Sequence, residues 1–177
     1  MNKQFLDVII IGGGLAGLCN AIHLSKLGKK VLLIEKNEYP KHKVCGEYIS
    51  NEVLPYLDFL EVNPFDSGAV RINNFQLSTT KSNIISAKLP LGGFGISRYT
   101  LDLALAEKAK ENGVMILQDT VLDVTFLKDF FQVETKQNSI YTSKIAIGAF
   151  GKRSLLDVKM GRNFIQNKSP YLGVKIH

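Results

Sequence analysis

The stretch DVIIIGGGLAGLCNAIHLSKLGKKVLLIEK, Asp7 to Lys36, constrains this chain more than any other. A β-branched run, Val8 to Ile11, meets three consecutive glycines, and a helix-forming segment follows at once. Phe5 to Ile11 lacks the polar–apolar alternation of a half-exposed strand, so it reads as a strand buried on both faces. Leu15 to Leu27 reads as a helix with Ala16, Gly17 and Ala21 toward the sheet and Gly28 at its end. Val31 to Glu35 reads as a second buried strand, which completes one βαβ unit.

Gly12-x-Gly14-x-x-Gly17 sits where a dinucleotide fingerprint requires it, after a strand and at the opening of a helix. Gly12 permits the tight turn, Gly14 lets the backbone approach a pyrophosphate, and Gly17 lets helix and strand pack closely. The helix start at Leu15 and Ala16 offers N–H groups and partial positive charge to phosphate. Glu35, at the end of the second strand, is placed for ribose hydroxyls, and its charge disfavours a ribose 2′-phosphate. The site therefore suits FAD or NAD rather than NADP.

Farther along, Asn37 to Gly46 is loop-like, and Ser50 reads as an N-cap for a segment that Pro55 kinks or breaks. Residues 68–90 read as antiparallel strands of a separate, half-exposed sheet, followed by GGFG. ISRYTLDLALAEKAKENGV reads as an amphipathic helix with Leu101, Leu105 and Ala109 on one face and a close at Asn112-Gly113. Val114 to Leu117 reads as a short buried strand. Thr120–Phe126, Phe130–Thr135 and Ile140–Ile145 suggest an antiparallel meander, and KIAIGAFG a buried strand with a glycine turn. The fold expected is α/β, a Rossmann-like domain with a parallel sheet and meander plus part of an antiparallel substrate-domain sheet. Its expected division is 1–67 with 96–168 for the first domain and 68–95 with 169–177 for the second. The strand-like ending PYLGVKIH suggests the N-terminal part of a longer protein.

Composition narrows the function. The 45% hydrophobic and 21% charged fractions fit a soluble globular chain, and the apolar run before Gly12 is too short to span a membrane. Two cysteines, Cys19 and Cys45, imply no disulfide framework and suit a reducing cytoplasm. The net charge of +6 favours anionic ligands or peripheral contact with an anionic membrane; no aromatic-interleaved basic patch points to nucleic acid. His23 and His42 stand in no metal-ligand spacing with cysteines or acids, so no metal is expected.

The Asp7–Lys36 stretch resembles the N-terminus of FAD-dependent oxidoreductases built like para-hydroxybenzoate hydroxylase. PKHKVCGEYIS sharpens the likeness: Pro40-x-x-Lys43-x-Cys45-Gly46 is similar to the motif of the geranylgeranyl reductase branch, to which flavin-dependent halogenases are related. ISRYTLDLALAEKAKENGV resembles the family's arginine-plus-helix segment, and GAFGKRSLLD stands in the place of its Asp-Gly motif. The resemblance implies that Gly12, Gly14, Leu15, Ala16 and Gly17 hold the FAD pyrophosphate and that Glu35 and Lys36 serve its adenosine. It implies further that Lys43 and Arg98 reach phosphate or ribose, that Val121 offers backbone groups to adenine, and that Gly151 lies against the cofactor. Cys45-Gly46 would lie near the flavin ring, with Cys45 either a wall of the site or a reactive thiol favoured by Lys41, His42 and Lys43. Cys19 and His23 are expected to be structural.

Two departures bear on the reaction. Phe150 precedes Gly151 where the family has aspartate, leaving Lys152 and Arg153 as the polar groups of that turn. The family's later Gly-Asp segment has no counterpart in the 177 residues. The function implied is reduction of C=C bonds in a prenyl- or lipid-like substrate by hydride from reduced flavin, with NAD(P)H a possible electron donor. The alternatives are a monooxygenase or halogenase acting on an aromatic substrate, and a non-catalytic or truncated nucleotide-binding module.

Overall fold

A computed structural model describes residues 5–152, 154–166 and 171. Arg153 and the PYLGVKIH ending other than Tyr171 lie outside the described residues, as does most of the expected 169–177 piece. The chain begins with β1 (Leu6–Ile11), α1 (Leu15–Lys26) and β2 (Val31–Glu35). β2 pairs parallel to β1, with Val8 opposite Val31 and Ile11 opposite Ile34. Both strands are almost wholly buried because each of their faces meets a different apolar layer. Val8, Ile10, Val31 and Leu33 face α1 through Leu18, Ala21 and Ile22. Ile9, Ile11, Leu32 and Ile34 face the other way, toward Val133 and Leu156.

Next come β3 (Tyr48–Ser50), a 3-10 turn over Asn51–Val53 and α2 (Leu54–Phe59). Ser50 caps this segment, its hydroxyl accepting from the Glu52 N–H, and Pro55 falls in the first turn of α2. The expected kink is thus a change from 3-10 to α geometry at the point where Pro cannot donate. β4 (Val70–Ser78) and β5 (Ile84–Gly95) form the antiparallel ribbon read at 68–90. GGFG belongs to β5 itself, where Gly93 and Gly95 pair with Ser50 and Tyr48. Tyr48 requires this glycine, because a Cβ on Gly93 would run into its ring. β4 is exposed along nearly its whole length, more so than the half-exposed sheet expected.

α3 (Arg98–Glu111) is capped by Ser97 and buries Leu101, Leu105 and Ala109 as the spacing predicts. It ends at Asn112, and Gly113 takes the left-handed conformation at φ 81°. β6 (Met115–Gln118) follows at the sheet edge, parallel to β2. It is only partly buried, with Met115 42% exposed, which corrects the reading of a buried strand.

The meander consists of β7 (Val121–Leu127), β8 (Phe130–Thr135) and β9 (Ile140–Gly148). Two segments read separately, Ile140–Ile145 and KIAIG, are one strand. Its first part pairs antiparallel with β8 and its later part parallel with β1. It is not fully buried: Ile145 is 53% exposed. The main sheet runs β6-β2-β1-β9-β8-β7, and the second runs β3-β5-β4. α4 (Leu155–Lys159) follows, capped by Ser154. The result is an α/β Rossmann-like fold. From β1 the chain crosses to β2 on one side while β9 returns on the other, so a crevice opens at the carboxyl end of β1.

Candidate nucleotide site at the carboxyl ends of the strands

The fingerprint turn lies in that crevice. Gly12 adopts φ 103°, a conformation that glycine reaches without steric cost. Its N–H donates to the Ile34 carbonyl at 2.8 Å, and the Ala149 N–H donates to Ile11 at 2.8 Å, tying the turn to both neighbouring strands. A Cβ on Gly17 would strike the Gly12 carbonyl oxygen, so this glycine sets how closely α1 approaches β1. Both roles match the expectation.

α1 opens at Gly14 with no side-chain cap and no acid in its first turn, so its first N–H groups face the crevice without a competing carboxylate. Over this opening two cations converge. A Cβ on Gly14 would stand 3.3 Å from Lys43 Nζ and 3.8 Å from an Arg98 Nη atom. Arg98 is held by Asp102 one turn along α3, with Nε to Oδ1 at 2.7 Å and the Nη to Oδ2 at 2.9 Å. Asp102 is completely buried, so the two-point pair fixes the plane of the guanidinium. Burial would lower the arginine pKa; Asp102 outweighs it and leaves it raised.

Glu35 is also buried, and its carboxylate is already furnished with donors. Oε2 accepts the Gly13 N–H at 2.7 Å. Oε1 accepts the Asn37 backbone and side-chain N–H groups, each at 3.0 Å, and pairs with Lys41 Nζ at 2.6 Å. Burial acts to raise its pKa, but Lys41 and the Asn37 and Gly13 N–H groups together hold it below the usual range. On Lys41, burial dominates and lowers the pKa, with Glu35 opposing. Glu35, Asn37 and Tyr39 form one wall of a cavity of about 240 Å³ whose other wall includes Ala106 and Ile116.

The other candidate residues are placed as follows. Leu15 and Ala16 form the first turn of α1, with Leu15 partly buried and Ala16 exposed. Lys36 is exposed. Cys45 is partly buried near Arg98, whereas Gly46 has open space around it. Lys41 turns to Glu35 and His42 lies against the Tyr99 ring, so of the three groups expected to favour a Cys45 thiolate, two are engaged elsewhere. Val121 opens β7 opposite Thr135, just after Asp119, whose N–H donates to the Glu35 carbonyl at 3.1 Å. Gly151 is exposed at φ 75°. Phe150 folds back over its own strand, its ring 2.9 Å from where a Gly148 Cβ would be, and joins the Ile9 side of the core. Cys19 packs against the core, burial raising its pKa to about 11, and His23 lies among Tyr56 and Phe59.

Sequence reasoning missed Gly13, Tyr39, Lys41 and Asp102. Gly13 is buried, and a Cβ there would run into the Tyr39 hydroxyl, which donates to the Gly13 carbonyl at 2.6 Å. The acid four residues after Arg98 was a readable helix-pair signal. Nothing local announced that Lys41, six residues past the acid, folds back onto it.

These features are those of a dinucleotide-binding domain: a glycine turn in which Gly12, Gly13 and Gly17 leave no room for a Cβ, cations above a helix start, and a carboxylate at the next strand end. The residues present fit such a group. Residues 7–44 match the family described as FAD dependent oxidoreductase (DAO). Digeranylgeranylglycerophospholipid reductase 1 of Methanosphaera stadtmanae is 31% identical over 166 residues, covering 89% of this chain and 40% of that protein. The FAD-dependent monooxygenase olcE of Penicillium canescens is 25% identical over 175 residues, covering 92% of this chain and 37% of that one. The fold is also that of p-nitrophenol 4-monooxygenase PnpA from Pseudomonas putida, with a TM-score of 0.79 at 17% identity over 89% of this chain and 44% of that one. The chain thus resembles the FAD-dependent oxidoreductases and spans less than half the length of these relatives. Among the described residues no helix is long and apolar enough to cross a membrane, and no cluster of potential metal ligands occurs.

Proposed function

We propose that this chain is the FAD-binding part of an oxidoreductase that reduces C=C bonds of a prenyl- or lipid-like substrate. The observation that carries the cofactor reading is the convergence of Lys43 and Arg98 over Gly14 at the opening of α1. Backbone N–H groups, a helix start and two cations suit two linked phosphates. In this reading Gly12, Gly14, Leu15, Ala16 and Gly17 cradle the pyrophosphate. Glu35 and Lys36 serve the adenosine, Val121 meets adenine through its backbone, and Cys45, Gly46 and Gly151 flank the ring. The bound group supplies hydride transfer to an alkene from its reduced ring; the chain binds, orients and excludes water.

The substrate class is supported by the 31% identity to digeranylgeranylglycerophospholipid reductase 1 and by the narrow Pro40-x-x-Lys43-x-Cys45-Gly46 motif. Phe150 stands where the family has aspartate, and its ring can offer no hydrogen bond to ribose or nicotinamide, which counts against NADPH-dependent hydroxylation. NAD(P)H remains the proposed electron donor for the whole protein, delivered to a surface whose net charge of +6 also suits anionic lipid. The division into 1–67 with 96–168 and 68–95 with 169–177 is kept as the proposed domain boundary. A monooxygenase is the second reading, favoured by the similarity to olcE.

Titration of the purified chain with FAD tests the cofactor reading: saturable binding is expected, and a chain that takes up none overturns it. For the reaction, the whole protein that carries this FAD-binding part is incubated with chemically reduced FAD and a polyprenyl lipid without oxygen. A product gaining two hydrogens per alkene is expected. Oxygenation of an added aromatic substrate once air is admitted, beyond that given by reduced FAD alone and without alkene reduction, favours the second reading instead.

A further inference from the structure

The Lys41 side chain is only 10% exposed, yet its Nζ makes no well-aligned hydrogen bond among the described residues. Among the described residues its ionic partner is Glu35 Oε1 at 2.6 Å, and the Tyr39 ring centroid lies 4.9 Å away. An ammonium has three donors, and leaving them unfilled in a buried place is costly. Glu35 shows the complementary deficit. Oε1 is crowded by Asn37 and Lys41, whereas among the described residues Oε2 accepts only the Gly13 N–H, one of the two bonds a carboxylate oxygen can accept.

Open donors therefore stand next to an open acceptor at the strand end where a ribose is expected. We propose that Lys41 is a nucleotide-binding residue that acts with Glu35 to read the two adjacent hydroxyls of the adenosine ribose, one accepting from Lys41 and the other donating to Glu35 Oε2. A vicinal diol supplies both roles, because one hydroxyl can accept while its neighbour donates. A phosphate in the same place would satisfy Lys41 but meet the Glu35 charge, so the pair selects an unphosphorylated ribose. This inference rests on the dinucleotide reading of the site and adds to it a specificity-determining residue.

Calorimetric titration with ADP, 2′-deoxy-ADP and 3′-deoxy-ADP tests it on the native chain and on Lys41→Met. In Lys41→Met, ADP affinity is expected to fall by about tenfold to a hundredfold, the equivalent of one hydrogen bond to a charged group. One of the two deoxy nucleotides should bind the native chain more weakly by a similar factor and be indifferent to Lys41→Met. Tighter ADP binding by Lys41→Met would show Lys41 to be a competitor for Glu35 and would overturn the proposal. So would an equal loss for all three nucleotides, which would make Lys41 a source of general charge. If the variant does not fold, equal affinity of the native chain for all three nucleotides still overturns it. A native chain that binds neither ADP nor FAD overturns the dinucleotide site as a whole, whereas FAD binding indifferent to Lys41 and to the ribose hydroxyls overturns this inference alone.

Discussion

A Cβ at Gly13 would collide with the Tyr39 hydroxyl and stand 2.9 Å from Glu35 Cβ, so the middle glycine of the three shapes the site as much as its neighbours do. Gly13→Ala is expected to cost about 1–3 kcal/mol of stability, as overpacking of a tight site does, and to weaken FAD binding at least tenfold. Thermal melts and FAD titration of that variant check both. Asp102 works through Arg98 and is a positioning residue. Asp102→Asn leaves the guanidinium without its buried counter-charge, and a loss of about 3–5 kcal/mol is expected from denaturant unfolding. Combining it with Arg98→Met should restore part of that loss, because the stranded charge is then gone; a double variant no more stable than Asp102→Asn would sink the argument. Fingerprint spacing identified Gly12, Gly14, Gly17 and Glu35. Gly13 and Lys41 escaped because their reasons lie in the loop after β2, which folds back onto the turn.

At the scale of elements, α1 and α3 matter to the site through the distance they keep from the sheet. Gly17→Val would push α1 off the Gly12 carbonyl, and it should abolish FAD binding while circular dichroism still reports helix. The β4–β5 ribbon behaves differently. Phe75 is 51% exposed and Ile85 65%, and Phe75→Ser is expected to change stability by no more than about 0.5 kcal/mol. A drop of several kcal/mol would mean that the ribbon is part of the core after all. The elements themselves were legible wherever periodicity or capping was strong, as in β1, α1, β2 and α3. They were misjudged where one strand changes partners. β9 pairs with β8 over its first residues and with β1 over its later ones, and this one strand reads as two segments. β6 is apolar in sequence but sits on the sheet edge, where apolar residues stay partly exposed.

For the whole molecule, the direction of the carboxylate shifts sets the response to acid. Glu35, Asp119, Asp7 and Glu61 all have folded pKa values below their ordinary ones. At Asp119 burial works against the shift, and the Thr135 hydroxyl and the Thr120 N–H outweigh it. Because the unfolded chain holds these protons more tightly, their contribution is fully present above the unfolded pKa of about 4. It is lost as pH falls through the lower folded values. The thermal midpoint should therefore be flat down to about pH 5 and drop steeply below about pH 4, and Glu35→Gln should make that acid limb shallower. A Glu35→Gln limb as steep as the native one would remove Glu35 from the account.

Residues 5–36 by themselves determined a strand, a glycine turn, a helix and a second strand, because each of those choices follows from local sterics and from apolar residues without alternation. They also set the expectation that such a turn serves phosphate and ribose. Only the tertiary structure decided which cations stand above the turn and how Glu35 is occupied. Lys43 and Lys41 arrive from a loop and Arg98 from a helix about 60 residues farther on. Contacts across such separations are set by how layers pack, and packing leaves no periodic mark on the residues that make them.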